Sequence, residues 1–163
     1  MKRRYRLYLE TSFWKRLGDP AMVARRQVTY RFFRSVKDRH ELLLSRLVIR
    51  ELMATPDLRE RRHILRRIWS ADPRTVTTSR RAERIALELL AAGGWSDDDF
   101  ADMLHISYTI VAGADALVTW DEGDLAREWT RNLVQAYGRR QGVATPLIGT
   151  PEDVAEWLGI RIR

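Results

Sequence analysis

Cysteine is absent from this chain. That excludes disulfides, zinc–thiolate sites and a cysteine nucleophile, and it fits a reducing cytoplasm. No apolar run approaches the roughly 20 residues needed to span a bilayer. The basic start, MKRRYRLYLE, is followed by no apolar leader core. The expectation is a cytoplasmic protein with no membrane association. A Gly-rich phosphate loop, a Ser-His-Asp arrangement and the spacing of a zinc site are also missing, as are repeats and low-complexity segments.

What is present is a globular composition with a lopsided charge. The 163 residues and 19.1 kDa suit one domain, residues 1–163, large enough to bury a proper core. Hydrophobic residues make up 45% and charged residues 31%, which sets the chain apart from disordered sequences. The net charge is +7 and the pI about 10.3. A protein of that sign is drawn to polyanions, because each phosphate it neutralises releases a counterion. The plainer explanation is an arginine-favouring genome, since arginine far outnumbers lysine. The acids sharpen the first reading. Asp97, Asp98, Asp99, Asp102, Asp115, Asp121, Glu122 and Asp124 crowd one segment of an otherwise basic chain. An acidic pocket in a basic surface is what a metal-dependent nuclease needs.

The stretch 97–124 organises the rest. On a helical wheel of about 100° per residue, Phe100, Met103, Leu104, Ser107, Ile110 and Val111 share one face. Asp98, Asp102, His105 and Thr109 share the opposite one. Gly113 is a stop, and Ala116–Thr119 is short and apolar enough to be a strand buried in a sheet. Asp121 follows that strand. Ligands of open α/β sheets sit beyond the carboxyl ends of the strands.

Elsewhere strand and helix alternate. Tyr5–Leu9 is a strand ending at Glu10, and Thr11 or Ser12 caps the helix after it. Residues 21–39 form a helix with Val23, Val28, Phe32, Phe33 and Val36 as core positions. A second strand, Leu42–Ser45, precedes a helix from Val48 to Ala54 that carries Glu51. Asp57 caps the next helix, which runs to about Trp69. Thr75–Thr77 is a third strand, and Ser79 or Thr78 caps a helix through Leu90. A helix from Leu125 to Tyr137 closes near Gly138, Val143–Ile148 is the last strand, and Thr150 with Pro151 opens a final helix. The six tryptophans mostly suit core positions. For Trp120, beside Asp121, stacking on a base is the alternative. The alternation predicts an α/β fold with a parallel sheet covered on both faces by helices.

Four acids then share a placement: Glu10, Glu51, Asp102 and Asp121 can converge at one edge of such a sheet. Each also has an ordinary explanation. Glu10 suits a helix start, where a favourable dipole interaction is worth roughly 0.3–1 kcal/mol. Glu51 suits a solvated helix face, and Asp124 suits a cap of the following helix. Clustered carboxylates repel one another unless a cation neutralises them. Oxygen-only ligands favour hard cations such as Mg²⁺ or Mn²⁺. His105, three residues after Asp102, reads as a packed or hydrogen-bonded histidine more readily than as a transition-metal ligand.

Taken in order, Tyr8-Leu9-Glu10-Thr11-Ser12, Leu47-Val48-Ile49-Arg50-Glu51, Ala101-Asp102-Met103-Leu104-His105-Ile106 and Gly113 to Asp121 resemble the successive motifs of PIN domains. Thr150-Pro151-Glu152-Asp153 is similar to a closing element of one prokaryotic branch. The resemblance implies a three-layer α/β/α fold with a central, mainly parallel sheet. It implies a Mg²⁺- or Mn²⁺-dependent ribonuclease site in which Glu10, Glu51, Asp102 and Asp121 hold the metal and carry catalysis, with Ser12 and Thr119 as small hydroxyl positions beside them. It also implies RNA as substrate, and a toxin of a toxin–antitoxin pair with an antitoxin protein as partner and often a homodimer. Two departures stand out: Glu10 where Asp is usual, and Gly123-Asp124 where the branch often has Lys and His. The alternative they leave is a catalytically inactive module that binds RNA or a partner.

Overall fold

The computed structural model describes residues 3–162; Met1, Lys2 and Arg163 lie outside the described residues, so the basic start is seen from Arg3 onward. Five short strands form one sheet: β1 (Arg6–Leu9), β2 (Glu41–Ser45), β3 (Arg74–Val76), β4 (Ala116–Val118) and β5 (Leu147–Gly149). Their order is β3-β2-β1-β4-β5, and every neighbouring pair is parallel. The helices are α1 (Thr11–Gly18), α2 (Val23–Val36), α3 (Arg46–Met53), α4 (Leu58–Ala71), α5 (Arg80–Gly93), α6 (Phe100–Val111), α7 (Glu128–Gln141) and α8 (Pro151–Leu158). A 3₁₀ turn, Asp97–Asp99, leads into α6. One helical set has α5 on α6 and α7; the other has α1 on α2, α3 and α4, with α2 on α8. The sheet lies between them, the α/β/α arrangement expected from the alternation.

Strands covered on both faces read as continuous apolar runs, and these do. Leu7, Tyr8, Leu9, Leu43, Ala116, Leu117 and Val118 are fully buried. Phe13, Trp14, Phe32 and Phe33 fill the space between α1 and α2, edge to face. No helix among the described residues is long and apolar enough to cross a membrane.

Local chemistry explains most boundaries. Asp57, Ser79 and Thr150 each accept a backbone N–H from the first turn of the helix they precede. Gly113 takes φ +61°, as the stop after α6 requires.

Four expectations need correction. The cap of α1 is Glu10, whose side chain accepts from the Ser12 N–H, rather than Thr11 or Ser12. Helix α7 starts later, at Glu128, and runs past Gly138 to Gln141. Gly138 is an interior position because the chain folds back against it: a Cβ there would lie 2.6 Å from Thr145 Cγ2 and 2.9 Å from the Val143 carbonyl. Val23 is exposed, because the first turn of α2 lies outside the core, which the helix meets from Val28 onward. Finally, Trp69, Trp129 and Trp157 are exposed, and only Trp14 and Trp120 are buried.

Candidate active site

The strand order decides where a site can form. From β1 the chain proceeds outward through β2 to β3, then returns to the other side of β1 as β4 and continues to β5. Connections therefore diverge between β1 and β4, and in open α/β sheets ligands bind beyond the carboxyl ends of the strands at such a point. Glu10 follows the last residue of β1, and Asp121 lies three residues beyond the end of β4. Helix α6 brings Asp102 from its first turn.

Asp102, Asp121 and Asp124 each offer a carboxylate oxygen, all within 4.8 Å of one another. Asp124 joins through a tight turn in which its N–H donates to Asp121 Oδ1 at 3.0 Å. It does not cap α7, whose N-cap is Arg127. This is the site residue that sequence reasoning assigned elsewhere; the signal for it was the Asp-Glu-Gly-Asp spacing just beyond a buried strand. The environment is costly for charge. Burial first, then the Asp121 carboxylate, raise Asp102 to about 7; Glu10 and Asp124 add to this, and His105 opposes it.

Glu10 is buried and outside the group of three aspartates, and its charge acts on Asp102. Its Oε2 accepts from the Ser12 N–H, the Ser12 hydroxyl and the Thr119 hydroxyl. Thr119 Oγ1 in turn accepts from the Asp121 N–H at 3.0 Å, and Ser12 Oγ accepts from the Trp120 N–H at 2.8 Å. The two hydroxyls thus tie the end of β1 to the segment after β4. Glu10 Oε1 has no donor among the described residues.

Glu51, on α3, lies outside the group of three aspartates. Its Oε1 accepts from His105 Nε2 at 2.6 Å and from the Thr11 hydroxyl at 3.1 Å. Burial alone would raise this carboxyl; the hydrogen bond and charge of His105, with Thr11 and Lys15, outweigh it and hold Glu51 below the usual glutamate range. As at Glu10, one oxygen is engaged and the other has no donor among the described residues.

Trp120 is core. It is buried, its Nε1–H donates to Thr29 Oγ1 at 2.8 Å, and the Arg25 guanidinium lies 4.9 Å from its ring while pairing with Glu122 at 2.7 Å. A cavity of about 780 Å³ lies away from this edge, lined by Arg3, Tyr5, Arg39, His40 and Arg161 at the amino ends of the strands. The acids, not that cavity, form the candidate site.

Three carboxylates at this separation, one of them raised to about 7, are a donor set that a divalent cation fits: hard oxygen ligands whose mutual repulsion a cation removes. Among solved structures, the chain is similar to a VapBC2 complex of Rickettsia felis bound to a DNA fragment from its promoter. That match has a TM-score of 0.57 at 14% identity and covers 89% of this chain and 98% of that one. It is also similar to VapC20 of Mycobacterium tuberculosis, a toxin that cleaves the sarcin–ricin loop. Here the TM-score is 0.58 at 23% identity, covering 72% of this chain and 91% of that one. The fold is the PIN fold. No protein-family model and no curated protein matches the sequence. At these identities the likeness concerns the PIN fold alone.

Proposed function

We propose that this PIN-fold chain is a divalent-metal-dependent endoribonuclease acting on RNA phosphodiesters. The observation that carries the reading is the convergence of Asp102, Asp121 and Asp124 beyond the carboxyl ends of β1 and β4, with Asp102 lifted to about 7. These three would hold Mg²⁺ or Mn²⁺ together with Glu10 and Glu51, each of which keeps one carboxylate oxygen without a donor among the described residues and shares the catalytic assignment. When bound, such an ion acidifies water and stabilises charge on an attacked phosphate.

The chain's own residues do the rest. Ser12 and Thr119 lock Glu10, and the Asp124 N–H locks Asp121, so the lining is preorganised. Lys15, whose charge reaches Glu51, and Arg25, beside Trp120 and Glu122, are cations at this edge that can meet a phosphate backbone. Single-stranded or looped RNA, whose bases are open to contact, is the substrate class that suits such a site. The described cleavage by VapC20 supports this reaction. The likeness to the VapBC2 complex supports reading the chain as one member of a two-protein pair; a toxin role in the cytoplasm, an antitoxin protein as partner and a homodimer belong to the same proposal.

The test is cleavage of a labelled stem–loop RNA with Mn²⁺ and with EDTA. Cuts only with Mn²⁺ are expected. Because Asp102 must give up a proton to bind the ion, apparent Mn²⁺ affinity is expected to rise about tenfold per pH unit below pH 7 and to level off above it. RNA that is bound but left uncut under every metal condition would replace the enzyme with a binding module.

A further inference from the structure

We propose that His105 is a positioning residue for the acidic site: a buried hydrogen-bond chain ending in His105 fixes Glu51 so that one carboxylate oxygen is consumed by the fold and the other is left for the cation. This rests on the metal-dependent reading above and adds to it a residue outside the acids.

The geometry orders the chain from both ends. The Val48 N–H can only donate, and it donates to Ser45 Oγ at 3.3 Å, capping α3. The Ser45 hydroxyl lies 2.8 Å from the Tyr8 hydroxyl, which lies 2.8 Å from His105 Nδ1. At the other end the Glu51 carboxylate can only accept, and it faces His105 Nε2 at 2.6 Å. One assignment satisfies every atom: Ser45 donates to Tyr8, Tyr8 donates to Nδ1, and Nε2–H donates to Glu51. Both ring nitrogens are therefore occupied, so His105 is not itself a metal ligand.

Burial gives the arrangement its stiffness. Tyr8 is 0%, Ser45 1% and His105 1% exposed. A buried polar chain is costly unless fully satisfied, and a satisfied one is rigid. It joins β1, the end of β2, α3 and α6, the elements that deliver Glu10, Glu51 and Asp102. Asp102 stands three residues before His105 on α6, so one helix carries an acid of the cluster and the group that holds Glu51. The same arrangement, a ligating group held by a partner behind it, tunes metal sites generally.

The experiment is calorimetric Mn²⁺ titration of wild type, His105→Leu and His105→Gln, with melts in EDTA to confirm folding. His105→Leu is expected to lose about 10–100-fold in Mn²⁺ affinity, and His105→Gln, which can keep an N–H toward Glu51, to recover most of it. A purely structural histidine would lower the melting temperature in EDTA and leave the affinity of the folded protein unchanged; that result overturns the proposal. Should His105→Leu fail to fold, His105→Gln and nitrogen NMR of the metal-free wild type decide. The hydrogen belongs on Nε2, and a ring carrying it on Nδ1 alone overturns the assignment. Wild type that binds no Mn²⁺ sinks both this proposal and the metal site, whereas binding that His105→Leu does not weaken sinks this proposal alone.

Discussion

Asp102→Asn is expected to abolish RNA cleavage and yet, in EDTA at neutral pH, to melt at a higher temperature than the wild type. The two effects share one cause. Burial and the Asp121 carboxylate lift Asp102 to about 7, far above the 3.8 of a free aspartate. A carboxyl raised on folding stabilises the native state only while it holds its proton. That contribution is fully present below about pH 4 and is lost as pH rises through about 7. Asparagine keeps the shape and removes the charge. Asp102 accepts no hydrogen bond among the described residues, so the amide replaces nothing that the fold depends on. In EDTA the wild type should therefore fall behind the variant between pH 4 and 7 and then run parallel to it. With metal the ranking of function reverses. Losing a residue that merely supports a metal ligand costs roughly 10–100-fold, and losing a ligand itself should cost more. Melts at pH 5 and pH 8 in EDTA, with a cleavage time course in Mn²⁺, check both halves. Wild-type cleavage by the variant would remove Asp102 from the site.

Trp14→Ala is expected to bring the largest loss of stability, about 3–5 kcal/mol by truncation of a buried indole. Native domains hold roughly 5–15 kcal/mol in all, so this variant stands near the edge of folding. Trp14 is fully buried, meets Phe13 and Phe33 edge to face, and donates from Nε1 to the Leu9 carbonyl at 3.1 Å. That bond ties α1 to the last residue of β1, immediately before Glu10. Trp14→Phe keeps most of the ring and loses the hydrogen bond, a change of about 1 kcal/mol from the bond plus the smaller volume. The urea midpoints should rank wild type, Phe, Ala, with a wide gap before Ala. A Trp14→Ala midpoint close to wild type would contradict the packing described for α1.

The contrast between what local chemistry shows and what it hides runs through the chain. Caps at Asp57, Ser79 and Thr150 were legible because a short oxygen-bearing side chain reaches its own helix. Glu10 was not legible as a cap, since its longer arm needed Ser12 and Thr119 to hold it, and Thr119 lies 109 residues away. The wheel of α6 placed His105 and Thr109 on a polar face, yet both are buried, as is Ser107. Hydroxyls hide from periodicity when they satisfy themselves: Ser107 donates to the Met103 carbonyl at 2.7 Å and Thr109 to the Ile106 carbonyl at 2.5 Å. His105 is satisfied by Tyr8 and Glu51 from β1 and α3, so nothing near it in sequence announced the chain. The strand–helix alternation put Asp102 and Asp121 at one edge of the sheet, and their carboxylates do lie within reach of each other. Asp124 was read as a cap because an aspartate before a helix usually is one, and only the turn back to Asp121 shows otherwise.

The central claim is that Asp102, Asp121 and Asp124 form a cation site. Thermal melts of wild type and Asp102→Asn at pH 7.5 and one fixed salt, each with and without Mn²⁺, test it most directly. An ion that binds only the native state raises the melting temperature by mass action. A rise is expected for the wild type that grows with Mn²⁺ concentration and disappears in Asp102→Asn. A wild type that melts at the same temperature with and without the ion, or a variant that rises just as far, would contradict it.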